Sequence, residues 1–230
     1  MSFPTLPSLD EVVGHFDGAL GAARLKEQPY RHWLLADAFP ESMCVGVLVL
    51  PIAPAVIDDC GGVRDRHNDK RSFFTPSLQS KFPACALLAE AMQQPAIARR
   101  FKDVCGVKVE GAYLRMEYIQ DTDGAWLEPH RDIKEKLFSM VLYLCTGPEA
   151  KGWGTDIYDD RRRWVGRSSA AFNSAVIFVP GPNTWHGFDK RSIDGVRRLM
   201  EINYVDPSWR DRDQLCFPDR PIEVADATLP

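Results

Sequence analysis

The second half of the chain constrains its fold most. From Val107 the sequence breaks into short β-type runs, "VKVEGAYLRMEYIQ", "KLFSMVLYL", "TDIYDD", "RRRWVG", "SAVIFVP" and "VRRLMEINYV", separated by Gly, Pro, Asp and Asn. Such spacing points to an antiparallel sandwich or barrel.

The first half has a different pattern. Ser8, with Glu11 three residues later, forms a capping-box signature, and the segment to about Leu25 carries Val12, Val13, Phe16 and Leu20 at roughly helical spacing. This predicts a leading amphipathic helix. "PYRHWLLADAF" reads as a strand or extended entry. "FPACALLAEAMQQPAIARRFKDVCG" is helix-prone, with Pro83 and Pro95 as first-turn residues and Gly106 as a stop. No internal repeat, low-complexity segment or linker interrupts the 230 residues. The expected architecture is one α+β domain over residues 1–230. Residues 1–106 are its mainly helical part, packed on a β-barrel core over 107–205, and 206–230 form a C-terminal extension.

Composition narrows the function classes. A net charge of −4 without a long basic run speaks against a nucleic-acid binder. The six cysteines are scattered, with no C-x-x-C pair, and read as reduced thiols. "MSFPTLPSLDEVV" lacks a basic region followed by an apolar one, and no apolar run approaches the ~20 residues that span a bilayer. A soluble, cytoplasmic protein is expected.

Three His-x-Asp triplets occur: His15-Phe16-Asp17, His67-Asn68-Asp69 and His130-Arg131-Asp132. Chance alone supplies roughly 0.7 His-x-acid triplets in a chain with five histidines and 32 acidic residues, so context decides among them. His15 and Asp17 fall in the leading helix, where a two-residue step of about 200° sends them to opposite faces. His67 and Asp69 sit in "GGVRDRHNDKRS", a charged, glycine-containing stretch that reads as a solvated loop. His130 and Asp132 lie between β-type runs, and on a strand residues i and i+2 face the same way, about 6.6 Å apart. They can converge on a metal, or form an ordinary ion pair in the core.

Downstream residues bear on that choice. "AAFNSAVIFVPGPNTWHGF" reads as strand, tight turn and a second strand carrying His186, a residue that is either packed or ligating. Two histidines and one carboxylate on strands would make a facial triad with three coordination positions open. Eleven residues after His186 comes Arg197, on "RRLMEINYV". With period two, Arg197, Leu199, Glu201 and Asn203 share a polar face suited to a wet barrel interior. Arg198, Met200, Ile202 and Tyr204 share an apolar face that packs under helices. Arg197 is thus the inward cation able to grip a carboxylate bidentately, with Arg198 as the alternate.

In order and in content, "PYRHWLLADAFPESMC", "YLRMEYIQDTDGAWLEPHRD", "FSMVLYL", "GWGTDIYDD", "FNSAVIFVPGPNTWHGF" and "GVRRLMEINYV" resemble the 2-oxoglutarate- and Fe(II)-dependent oxygenases, in particular the prolyl-4-hydroxylase-like branch. The family's paired glycines appear here as Gly152-Trp153-Gly154, a departure at that turn.

The resemblance implies a double-stranded β-helix (jelly-roll, cupin-like) core with the N-terminal helices packed on one face. It implies Fe(II) held by His130, Asp132 and His186, and 2-oxoglutarate chelating the iron with its far carboxylate on Arg197. Tyr118 occupies the place of an assisting tyrosine in related enzymes, or is a buried aromatic. The implied activity is an O2-dependent hydroxylation of an unactivated C–H bond that releases succinate and CO2, with a small-molecule substrate preferred over a protein or peptide residue. Asp132 favours hydroxylation, because halogenating relatives replace that carboxylate with a small residue. Two other classes remain open, a non-catalytic ligand-binding barrel and a zinc hydrolase on the same ligands. Arg161, Arg162, Arg163 and Arg167 form either a cationic rim or a solvated hairpin tip, and Trp126, Trp153 and Trp164 either line a pocket or pack in the core.

Overall fold

A computed structural model describes residues 4–54, 56–57, 59–63 and 71–224. The His67-Asn68-Asp69 triplet lies outside the described residues. The leading helix α1 (Leu9–Gly21) carries the full capping box, with the Ser8 hydroxyl accepting from the Glu11 amide at 3.2 Å and the Glu11 carboxylate accepting from the Ser8 amide at 2.7 Å. It ends before Leu25 because Arg24–Lys26 leaves as strand β1, paired to β2 (His32–Leu35). Helix α2 (Glu41–Leu48), strand β3 (Ser72–Phe73) and helix α3 (Pro76–Lys81) follow. Helices α4 (Pro83–Gln93) and α5 (Pro95–Cys105) each open on the anticipated proline, and α5 stops at Gly106 in the left-handed conformation, φ 74°.

The remaining strands are β4 (Tyr113–Asp121), β5 (Leu127–His130), β6 (Lys136–Tyr143), β7 (Asp156–Tyr158), β8 (Trp164–Arg167), β9 (Ala175–Phe178), β10 (His186–Phe188) and β11 (Arg197–Val205). They alternate between two sheets. The larger has the order β1-β2-β9-β6-β11-β4-β3 and the smaller β5-β10-β7-β8, and every described pairing is antiparallel. Crossing from sheet to sheet along β4 to β11, with β7 and β8 as a hairpin in the smaller one, is the jelly-roll winding. The α+β double-stranded β-helix is therefore the observed fold. The N-terminal part also adds β1 and β2 beyond β9 and β3 beside β4, a contribution that runs of two to four residues do not advertise.

Helices cover one face of the large sheet. Phe16 of α1 stacks on Phe39 (4.9 Å, 12°) and meets Phe101 of α5 edge-on (5.9 Å, 72°), and Phe101 in turn contacts Phe138 of β6 and Tyr204 of β11. Each of these rings is buried, contributing on the order of 2 kcal/mol apiece. The other face looks into the barrel, where Ile119, Val141, Tyr143, Val176 and Leu199 form a second core with Trp153 and Phe188. The metal candidates lie at one end of that interior. Among the described residues, no helix is long and apolar enough to cross a membrane.

Candidate metal centre

Antiparallel pairing of β10 with β5 sets His186 opposite His130, with ring centroids 4.3 Å apart. Asp132 joins them, and one ligand atom from each of the three lies within 4.8 Å of the others. His130 is the last residue of β5 and Asp132 sits in the connection to β6, so the shared strand face expected from the i, i+2 spacing is replaced by a strand end and its exit. Convergence is the same. Gly187 permits the close approach: a Cβ there would meet the Leu127 carbonyl oxygen at 2.7 Å.

Both imidazoles are oriented alike. His130 Nδ1–H donates to the Glu128 carbonyl and His186 Nδ1–H to the Thr184 carbonyl, each at 2.9 Å. That tautomer puts the lone pair on Nε2, which makes Nε2 the nitrogen able to ligate a metal. Phe178 packs against the His186 ring at 4.5 Å. Asp132 Oδ2 accepts from the Ser139 hydroxyl at 2.6 Å, and Oδ1 from Lys136 Nζ at 3.0 Å. Lys136 also reaches Glu201 at 2.5 Å. Burial alone would raise the Asp132 carboxyl, but the Lys136 ammonium, then His186 and the Ser139 hydroxyl, hold it below the ordinary carboxylate value against opposition from Glu201. Two imidazole nitrogens and a carboxylate held ionised are a donor set that fits Fe(II), and zinc as well.

The first triplet does not assemble a site. His15 Nε2 bonds the Asp37 carbonyl at 2.9 Å, while Asp17 pairs with Arg100 of α5 at 2.9 Å, so the helix separates them as expected.

Beside the triad, inside the barrel, is a cavity of about 80 Å³ bounded by His186, Phe188, Thr155, Glu201 and Arg197. Arg197 is 6% exposed. Its Nε donates to the Trp153 carbonyl at 2.6 Å, its Nη1 to Asp121 at 2.5 Å, and the guanidinium lies over Phe188 at 4.0 Å. Nη2 takes part in neither bond. Arg198 points the other way and donates to Gln120 Oε1 at 3.2 Å. The two faces of β11 thus divide as its alternation predicts: Leu199 and Glu201 line the cavity with Arg197, whereas Met200, Ile202 and Tyr204 enter the helix-covered core.

Tyr118 packs as a buried aromatic, the second of its two expected readings. It pairs with Met200 across β4 and β11, so it shares the helix-facing side with Leu114 and Met116 and does not line the cavity. Burial pushes its hydroxyl up to about 12. Tyr118→Phe should leave the affinity of an anion bound beside Arg197 within about twofold of wild type, since no bond to the cavity is lost; 2-oxoglutarate titration of both proteins checks this.

The tyrosine that does face inward is Tyr143. It bonds Thr155 Oγ1 at 2.6 Å and Ser168 Oγ at 2.8 Å, and its ring lies 6.0 Å from the Arg197 guanidinium. Its period-two relation to Ser139 and Val141 in "KLFSMVLYL" was the available signal.

The turn at Gly152-Trp153-Gly154 needs only its second glycine. A Cβ on Gly154 would fall 1.8 Å from the Ser168 carbonyl oxygen, whereas one on Gly152 meets nothing within 4 Å. Gly154→Ala should therefore lose more than about 2 kcal/mol in urea denaturation and Gly152→Ala less than about 1. Trp153 is buried and Trp126 lines the cavity, while Trp164 is 54% exposed. The arginine run is divided: Arg163 pairs with Asp159, Arg167 with Asp156, and Arg162 lies over Trp185 at 4.3 Å.

No family model and no curated protein matches the chain. Solved structures do. A Pseudomonas putida prolyl-4-hydroxylase is similar with TM-score 0.51 and 16% identity, covering 90% of this chain and 97% of that one. A Phytophthora capsici prolyl 4-hydroxylase has TM-score 0.58 and 10% identity over 90% of this chain and 70% of its own. A prolyl hydroxylase from Trichoplax adhaerens, in complex with a hypoxia inducible factor oxygen degradation domain peptide fragment, has 0.56 and 13% over 86% and 89%. The chain has the prolyl-hydroxylase fold, and the resemblance read from its sequence holds at that level.

Proposed function

We propose that this chain is an Fe(II)- and 2-oxoglutarate-dependent dioxygenase that hydroxylates a C–H bond of a small-molecule substrate. The observation that carries this reading is the joining of two features in one barrel end: a His130, Asp132, His186 donor set and, in the adjoining cavity, the buried cation of Arg197. Bound there, Fe(II) with 2-oxoglutarate supplies O2-dependent oxidation coupled to formation of succinate and CO2.

The chain's own residues do the rest. Glu128 and Thr184 carbonyls fix the imidazole tautomers, and Lys136 with Ser139 keeps Asp132 ionised and oriented. Arg197, prepositioned by Trp153 and Asp121, offers its Nη2 edge to the far carboxylate of 2-oxoglutarate. Phe188, Leu199 and Val141 form apolar walls that exclude water from the reacting end.

A zinc hydrolase on the same ligands gives Arg197 no role, and a non-catalytic barrel gives none to the ionised Asp132 between two oriented imidazoles. The second reading worth keeping is hydroxylation of a peptide residue, favoured by the peptide bound to the Trichoplax adhaerens relative. Purified protein incubated with Fe(II), 2-oxoglutarate and O2 should release succinate slowly by itself and faster with substrate. Zero succinate from folded protein, with Fe(II) omitted as the blank, would sink the enzyme reading, and a screen of metabolites against prolyl peptides separates the two substrate classes.

A further inference from the structure

His186 lines the first cavity, whereas a second cleft reaches the other two proposed ligands, His130 and Asp132. It has a volume of about 660 Å³ and is bounded by His130, Arg131, Asp132, Lys134, Pro182 and Trp185. Arg131 stands between two of the proposed metal ligands in the sequence, and Trp185 immediately precedes the third. The guanidinium of Arg131 lies over the Trp185 ring at 4.7 Å and that of Arg162, from the tip of the β7–β8 hairpin, over the same ring at 4.3 Å. Arg131 is further held by donation to the Pro182 carbonyl at 2.8 Å.

Two like charges on one indole repel each other, and elsewhere at this end of the molecule arginines are neutralised. Arg163 pairs with Asp159, Arg167 and Arg191 with Asp156, and Arg197 with Asp121. Among the described residues neither Arg131 nor Arg162 is paired with a carboxylate. Arg162 also occupies the left-handed position of its turn, φ 59°, where glycine or asparagine is the economical choice. An arginine there sets a guanidinium on Trp185. Arg131 and Trp185 bound the cleft and Arg162 stacks on that same Trp185 ring, and planar guanidiniums fixed by stacking are a receptor for a carboxylate or similar anion.

We infer that the primary substrate is a small organic anion, its carboxylate seated on Arg131 and Arg162 and its reacting C–H turned toward the His130, Asp132, His186 centre. The inference rests on the oxygenase reading above and adds the substrate class. It also separates the two anions by place, 2-oxoglutarate in the barrel on Arg197 and substrate outside on the stacked pair.

The test is anaerobic calorimetry on full-length protein loaded with Fe(II) and saturating 2-oxoglutarate. The probes are hexanoate, phenylacetate and N-acetyl-L-proline, each beside its primary amide. At least one acid should bind about tenfold or more tighter than its amide. Arg131→Gln with Arg162→Gln should bring acid and amide to within about threefold. Equal binding of every acid and amide, no binding by any acid, or a preference that survives in the double variant overturns the inference. A glutamate-flanked prolyl peptide binding tighter than all three acids overturns the small-molecule assignment and moves the anion to a macromolecule. The visible charge-transfer band of the wild-type Fe(II)–2-oxoglutarate complex, recorded on the same samples, keeps the readings apart. With the band present and no acid preference, only the substrate class fails. With the band absent from folded protein, both fail.

Discussion

His130→Ala should abolish 2-oxoglutarate-dependent oxygen uptake and weaken Fe(II) binding by more than about 100-fold, because the proposed centre would lose a ligand outright, beyond the 10–100-fold typical of losing only an outer partner. The fold should survive. His130 closes a four-residue strand at the barrel end and belongs to none of the apolar core clusters, so thermal stability without metal should change little. Anaerobic Fe(II) titration followed by the charge-transfer band reads the effect. His15→Ala is the matched control, since that imidazole bonds the Asp37 carbonyl and takes no part in the candidate centre. Full Fe(II) affinity in His130→Ala would remove the residue from the centre.

Arg197→Ala should raise the 2-oxoglutarate dissociation constant by about 30- to 1,000-fold, the 2–4 kcal/mol expected when one partner of a buried, hydrogen-bonded charge pair is truncated. Fe(II) affinity should hold within a few-fold. The substitution also strips Asp121 of its cation, and that carboxylate is only 19% exposed, so some stability is lost with it. Arg197→Ala combined with Asp121→Asn relieves the stranded charge and should recover stability without recovering cosubstrate affinity. Arg198→Ala, on the opposite face, should leave affinity within about twofold. If Arg198 proves the more sensitive position, the division of β11 into cavity and helix faces is wrong as a guide to ligand binding.

Much of this was legible because local chemistry dictates it. The capping box at Ser8, prolines 83 and 95 at helix starts and Gly106 at a helix end are decided within a few residues of chain. Alternation along "RRLMEINYV" separates Arg197 from Arg198 by the same logic. The rule applied to "YLRMEYIQ" would have placed Tyr118 with Leu114 and Met116 against the helices, since Arg115 and Glu117 mark the polar side. The Asp121–Arg197 bond and the stacking of Arg131 and Arg162 on Trp185 were not legible, because each depends on register or on a turn that brings distant segments together.

Strand β2 has a consequence for how the molecule can be handled. It pairs along the whole of β9, His32 with Phe178 through Leu35 with Ala175, and Phe178 packs on His186. The amino-terminal segment is therefore a seal on the barrel as well as part of its helical cover. A fragment cut to residues 107–224 would bare the four buried apolar residues of β9 as an open edge, a template for intermolecular pairing. Such a fragment should elute as aggregate in size-exclusion chromatography, and engineering of the half that carries the candidate metal centre must carry the first 35 residues along as a mechanical part.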